Sequence, residues 1–167
     1  MQSIRKPKFE SKKDLYRYIN TRMVGMLSEE SDWLANLCNA SALLNLFLEE
    51  INWVGFYLRR GSDELILGPF QGKPACVRLY DGKGVCGTAA QNKQVQLVPD
   101  VNVFPGHVAC DPDSQSEIVI PILVDNEVVA VLDIDSPVTG RFDKEDQHGL
   151  ELIGKTLEKF INWKDRR

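Results

Sequence analysis

The sequence has no apolar run approaching the roughly 20 residues that a membrane span requires, and its N-terminus lacks the apolar core of a secretory leader. Both absences lead to the expectation of a cytoplasmic protein without membrane attachment. Nor is there a basic surplus: 20 basic against 24 acidic side chains leave a net charge of −4, which repels phosphate backbones and excludes nucleic acid as the expected partner. The basic clusters Arg5-Lys6-Pro7-Lys8 and Arg166-Arg167 read as solvated ends. No internal repeat, low-complexity tract or linker interrupts the chain, and 167 residues suit one core rather than two, so a single domain over 1–167 is expected. None of the four cysteines, Cys38, Cys76, Cys86 and Cys110, forms a C-x-x-C pair, which argues against both a thioredoxin motif and a common zinc knuckle.

What is present is an ordinary globular composition, 43% hydrophobic and 26% charged, with a helical period at both ends and a strand period between. Ser11 and Asp14 form a capping pattern for a helix to about Leu27, with Leu15, Tyr18, Ile19, Arg22 and Met26 on one face. A second helix is predicted from about Asp32 to Glu49, with Leu34, Leu37, Cys38, Ser41, Leu44 and Leu48 at three- and four-residue steps; Cys38 then reads as a small core residue. From Ile51 to Leu58 the chain turns aromatic and β-branched and pairs as a hairpin with Leu65–Leu67. A Gly/Pro-rich stretch, Gly68 to Pro74, precedes a short strand at Cys76–Leu79, a turn at 81–84 and a short helix through Gln91. Val95–Val98, Ile118–Val124 and Val128–Ile134 read as further strands, and Asp143 caps a final helix toward Trp163. The pattern predicts an α+β domain, an antiparallel sheet with the N- and C-terminal helices on one face.

The chemistry concentrates in two constellations. Between Pro99 and Glu117 runs a loop without apolar period, broken by Pro99, Pro105, Gly106 and Pro112, and it carries Cys110. A long loop inside a small domain is usually functional. A thiolate there could attack a substrate and be resolved by a second cysteine as a disulfide. A metal site built on His107 and Cys110 is the weaker alternative, because a second ligand pair is lacking. The other constellation is acidic: Asp133 and Asp135 stand two apart on an apolar strand and so share a face, with Glu117 at the start of another strand. Adjacent carboxylates repel, so one is driven toward its protonated form and can donate a proton or help bind an ammonium group. Capping of the strand exit is the plainer reading of the two aspartates.

Several blocks resemble the free methionine-(R)-sulfoxide reductases, a family of GAF-type domains. They are Trp53-Val54-Gly55-Phe56-Tyr57, Gly68 to Lys73, Cys76, Gly84-Val85-Cys86-Gly87-Thr88-Ala89-Ala90, Val98-Pro99-Asp100-Val101, Ser116 to Pro121, and Leu132-Asp133-Ile134-Asp135-Ser136. The resemblance implies a single GAF-type domain and thiol-dependent reduction of free methionine sulfoxide. It implies Cys110 as attacking thiolate, Cys76 as resolving partner and Cys86 as an auxiliary cysteine. Glu117, Asp133 and Asp135 would form the acidic pocket, and Trp53 and Tyr57 the aromatic wall for the substrate methyl group. Thioredoxin as reductant, no metal or organic cofactor, and a homodimer are the corresponding expectations. The competing reading is a noncatalytic GAF module that senses a small ligand; no segment of the sequence reads as an output domain, and paired acids disfavour a phosphate-bearing ligand.

Overall fold

Side-chain alternation along three neighbouring strands sorts the molecule into two layers with different tasks. The computed structural model describes residues 6–107 and 110–166, so Arg5 and Arg167 of the terminal basic clusters lie outside the described residues. In chain order the elements are α1 (Lys12–Glu29), α2 (Trp33–Phe47), β1 (Trp53–Arg60), β2 (Glu64–Gly72), β3 (Arg78–Tyr80), α3 (Gly84–Asn92), β4 (Gln96–Val98), β5 (Ser116–Val124), β6 (Glu127–Ser136) and α4 (Lys144–Phe160). The strands form one antiparallel sheet in the order β3-β2-β1-β6-β5-β4. No helix among the described residues is long and apolar enough to cross a membrane.

One sheet face is uniformly apolar. Phe56 of β1, Ile120 of β5 and Leu132 of β6 pack there against Ile19 and Met23 of α1, Leu44 of α2 and Ile153 of α4. The α+β expectation, with terminal helices on one face, is therefore met. The opposite face is mixed: Tyr57, Val119 and Val131 build a smaller core with Val85 and Ala89 of α3, and the polar residues between them stay clear of the helical layer. Period-two alternation forces this division, because a one-residue slip would send the acids of β6 into the apolar layer.

Local signals explain the ends of the elements. Ser11 accepts a hydrogen bond from the Asp14 amide at the start of α1, and Asp143 opens α4 with a reciprocal capping box to Asp146. Asp125 and Asn126, at φ 50° and 63°, make the tight turn between β5 and β6, whose two left-handed positions Asn and Asp tolerate.

Four details depart from the sequence reading. In α1 the buried stripe is Tyr16, Ile19, Met23 and Leu27, with Leu15, Tyr18 and Met26 only partly covered and Arg22 outside, stacked on Tyr18. In α2 the buried side is Asn36, Leu37, Ala40, Ser41, Leu43, Leu44 and Phe47, while Cys38 is exposed and Leu34 is 47% exposed. Leu37, Ser41, Leu44 and Leu48 are buried as expected, but the helix carries no charge to mark its outer face, so apolar spacing alone drew Leu34 and Cys38 into the buried side. The strand β2 runs on through Gly68 and Pro69 to Gly72; both residues fall where the β1–β2 register shifts, a bulge that tolerates a missing amide. Conversely β3 is only Arg78–Tyr80, leaving Cys76 in an irregular connection rather than a strand.

The helix α3 lies unusually close to the chain beside it because Gly87 lacks a side chain: a Cβ there would run into the Tyr80 carbonyl oxygen. Gly87→Ala would gain up to about 1 kcal/mol of helix propensity. The obstacle is backbone at the end of a strand and cannot rotate away, so overpacking wins and we expect a net loss of about 1–3 kcal/mol in urea unfolding. An unchanged midpoint would show that α3 is free to retreat.

Candidate active site

Three adjacent strands bring three carboxylates together. In the register of β5 and β6, Glu117 stands opposite Asp135 and Val119 opposite Asp133, while Gly55 of β1 faces Asp133 from the other side, and the space its missing side chain leaves is filled by Phe70 and Trp53. Glu117 and Asp133 are each 6% exposed, and Asp135 is part-buried. Like charges facing each other across a ladder are destabilising, and burial penalises every ionised carboxylate. The outcome is unequal. Burial, reinforced by neighbouring acids, pushes Glu117 and Asp135 well above the carboxylate range. Asp133 rises only to about 6, because hydrogen bonding with Cys86 and Glu117 offsets part of its burial. Burial thus favours the protonated forms of the trio, most strongly at Glu117 and Asp135 and least at Asp133.

Cys86, on the first turn of α3, points its Sγ to 4.0 Å from Glu117 Oε1. Burial and the acids push its thiol up, so it is a poor thiolate and no candidate for the attacking group. His107 lies with Nε2 3.8 Å from Glu117 Oε2, and burial lowers its pKa, which keeps the imidazole neutral.

Above the acids two irregular segments meet. Cys76, from the β2–β3 connection, and Cys110, from the long loop, form a disulfide with Cα atoms 5.5 Å apart. A polar clamp holds the segments together. Lys73 pairs with Asp113 and, at 3.5 Å, with Asp111, while Asn52 Nδ2 donates to Asp111 at 3.1 Å and to Ser114 at 3.0 Å. Asp111 is held below its usual pKa chiefly by the Asp113 amide, which donates to it.

The remaining cavity, about 30 Å³, is bordered by Tyr57, Cys86, Cys110, Glu117, Asp133 and Asp135 together with His107. It is large enough for a water or two and too small for an amino acid, so the disulfide form is a closed form. Of the residues singled out from the sequence, Cys76 and Trp53 do not border the cavity: Cys76 meets it through its bond to Cys110, and Trp53 stacks between Tyr57 and Phe70, at centroid distances of 5.8 and 5.2 Å. Its Nε1 donates to the Lys73 carbonyl at 3.1 Å, and the Tyr57 hydroxyl donates to the Cys76 carbonyl at 3.1 Å, so both aromatics steady the segment that carries Cys76. The residues that sequence reasoning missed are Asn52, Lys73 and Asp111. The run Asp111-Pro112-Asp113-Ser114 directly after Cys110 was a usable signal for a turn that anchors the loop. His107, weighed only as a metal ligand beside Cys110, instead approaches Glu117.

The fold and this site define the class as a GAF domain, whose family model matches residues 26–161. Over 151 residues the chain is 51% identical to the free methionine-R-sulfoxide reductase of Escherichia coli, covering 90% of this chain and 91% of that protein. It is 52% identical to protein YtsP of Bacillus subtilis, covering 96% and 99% respectively. The solved structure of the Neisseria meningitidis free methionine-R-sulfoxide reductase in complex with its substrate superposes with a TM-score of 0.92 at 39% identity, covering 99% of both chains. Within the GAF class, the chain belongs to the family of free methionine-R-sulfoxide reductases, which are enzymes.

The raised acids give a pH signature. A carboxyl whose folded pKa is raised contributes stability that is present below its unfolded value, about 4.3 for Glu, and lost as pH rises through the folded value. Glu117→Gln keeps the shape without the titration. We expect similar melting temperatures for the two proteins at low pH and a widening advantage for Glu117→Gln as pH rises through neutrality. Parallel melting curves across that range would show that Glu117 is not raised.

Proposed function

We propose that the chain reduces free methionine-(R)-sulfoxide to methionine by a dithiol mechanism, with Cys110 attacking and Cys76 resolving. The observation that carries this reading is the Cys76–Cys110 disulfide closing over a buried pocket of three carboxylates. In the reduced enzyme a protonated Glu117 or Asp135 donates to the sulfoxide oxygen and makes the sulfur electrophilic. Cys110 thiolate attacks, methionine leaves, and the oxygen stays on Cys110 as sulfenic acid. Cys76 then displaces it as water and the disulfide forms. Cys86 takes an auxiliary part, its buried thiol bridging α3 and the acids.

Selectivity for the free amino acid follows from charge. Asp133, whose pKa is raised least of the three, suits the α-ammonium group, which becomes an uncharged amide within a protein chain. The first turn of α3, from Gly84 with no side-chain cap before it, borders the same cavity and offers its open amides to the α-carboxylate. Tyr57, backed by Trp53, forms the wall for the methyl group. The half-buried disulfide remains reachable for thiol exchange, which supports recycling by thioredoxin in the cytoplasm without metal or organic cofactor. The uncharged outer face of α2, where Leu34 and Leu46 are 47% and 45% exposed, is a surface on which a second copy would bury apolar area, in keeping with a homodimer.

The direct test is to mix the protein with methionine sulfoxide and dithiothreitol and measure free methionine. Cys110→Ser should release none, even in a single turnover; one methionine per chain from that variant would remove Cys110 from the nucleophile's role. Cys76→Ser should release about one methionine per chain and then fail to cycle with thioredoxin. Unchanged thioredoxin-linked turnover would transfer the resolving role to Cys86.

Asp135→Asn and Glu117→Gln separate proton donation from mere shape. Each should lower the single-turnover rate by about 10²–10⁴, whereas Asp133→Asn should chiefly weaken binding of the amino group. Wild-type chemical rates in both of the first two variants would remove acid-assisted attack from the mechanism.

A further inference from the structure

Beneath the disulfide, a thiol and two carboxylates converge from three elements: Cys86 from α3, Glu117 from β5 and Asp133 from β6. One ligand atom from each lies within 4.8 Å of the others. For a tetrahedral ion with metal–sulfur and metal–oxygen bonds of about 2.3 and 2.1 Å, the expected S···O separation is about 3.6 Å. Cys86 Sγ and Glu117 Oε1 are 4.0 Å apart, so a few tenths of an ångström of contraction would complete that edge. A second observation singles out the spot. Among the described residues, the Oδ1 atom of Asp133 is buried with no hydrogen-bond partner, and Asp133 borders the cavity. An unpaired buried carboxylate oxygen is costly and calls for a cationic or donor group. The cavity of about 30 Å³ admits an ion with a water.

We propose that the oxidised protein binds one thiophilic divalent cation, of the zinc or cadmium type, through Cys86 Sγ and the Glu117 and Asp133 carboxylates. Mixed sulfur and oxygen donors select such ions over magnesium or calcium, which take oxygen alone. On binding, the Cys86 thiol gives its proton to solvent as the metal–sulfur bond forms, and no electron is transferred. The sequence-level metal candidate was a different pair, His107 with Cys110; in this form Cys110 sulfur is committed to the disulfide. Cation binding does not depend on the reductase reading. Its consequence does rest on that reading: the ion would occupy the acids that receive the substrate and so act as an inhibitor.

The experiment uses the oxidised full-length protein with Cys38→Ser, so that Cys86 is its single free thiol. Titration with Cd2+ should produce an ultraviolet cadmium–thiolate charge-transfer band that saturates at one equivalent, and a rise in melting temperature. Adding Cys86→Ser should abolish the band. Adding Asp133→Asn, which keeps the thiol and the side-chain shape, should weaken binding at least about tenfold while the near-ultraviolet circular dichroism stays that of a folded protein. No saturable band, or a band that survives Cys86→Ser or is unmoved by Asp133→Asn, overturns the proposal. Methionine release by the same preparation, reduced and free of metal, reports separately on the reductase reading.

Discussion

Three carboxylates on one sheet face, two of them facing each other across a backbone ladder, are the constraint around which the molecule is arranged. In water they would all ionise; here burial and mutual repulsion push all three toward their protonated forms, Glu117 and Asp135 most strongly. Such a cluster is destabilising, so it must be held by structure that is stable for other reasons. That support comes from the far side of the same strands, where Phe56, Ile120 and Leu132 lock into three helices. The apolar layer fixes register, and register fixes which side chains point at the pocket.

The second constraint is distance along the chain. The acids sit on strands, whereas Cys76 and Cys110 sit on irregular segments that the proposed dithiol mechanism requires to part and meet. Lys73, Asp111, Asp113 and Asn52 bring those segments into contact from the solvent side, while Trp53 and Tyr57 grip the Cys76 segment from beneath. In the proposed cycle the strands would keep the acids in place while the sulfurs change bonding partners.

The architecture was legible where the code is local. Continuous apolar runs either side of the turn at 125–127 marked β5 and β6, capping residues marked the starts of α1 and α4, and the spacing of Asp133 and Asp135 put both on one face. It failed where neighbours decide. Nothing in α2 distinguishes Cys38 from Ala40 as a buried position, because the uncharged helix carries no polar stripe to orient it. Gly68 and Pro69 looked like the end of a strand, but a bulge and a strand edge accommodate them within it. In the site, the three acids and Cys110 could be nominated from type and spacing, and the meeting of Cys76 with Cys110 came from the family resemblance. The clamp could not be read in advance: Asn52, Lys73 and Asp111 are ordinary surface residue types whose partners lie up to 62 positions away.

The disulfide also reaches beyond the pocket, because its two cysteines are 34 positions apart and the intervening chain contains β3, α3 and β4. Closing a ring of that size removes conformational freedom from the denatured chain, worth about 4 kcal/mol in the loop-entropy model. Oxidised and reduced forms thus differ in resistance to unfolding as well as in chemistry. In the dithiol cycle proposed above, a lag in recycling shifts the population toward the sturdier form, so the chain awaiting reduction is the one that proteases find hardest to open.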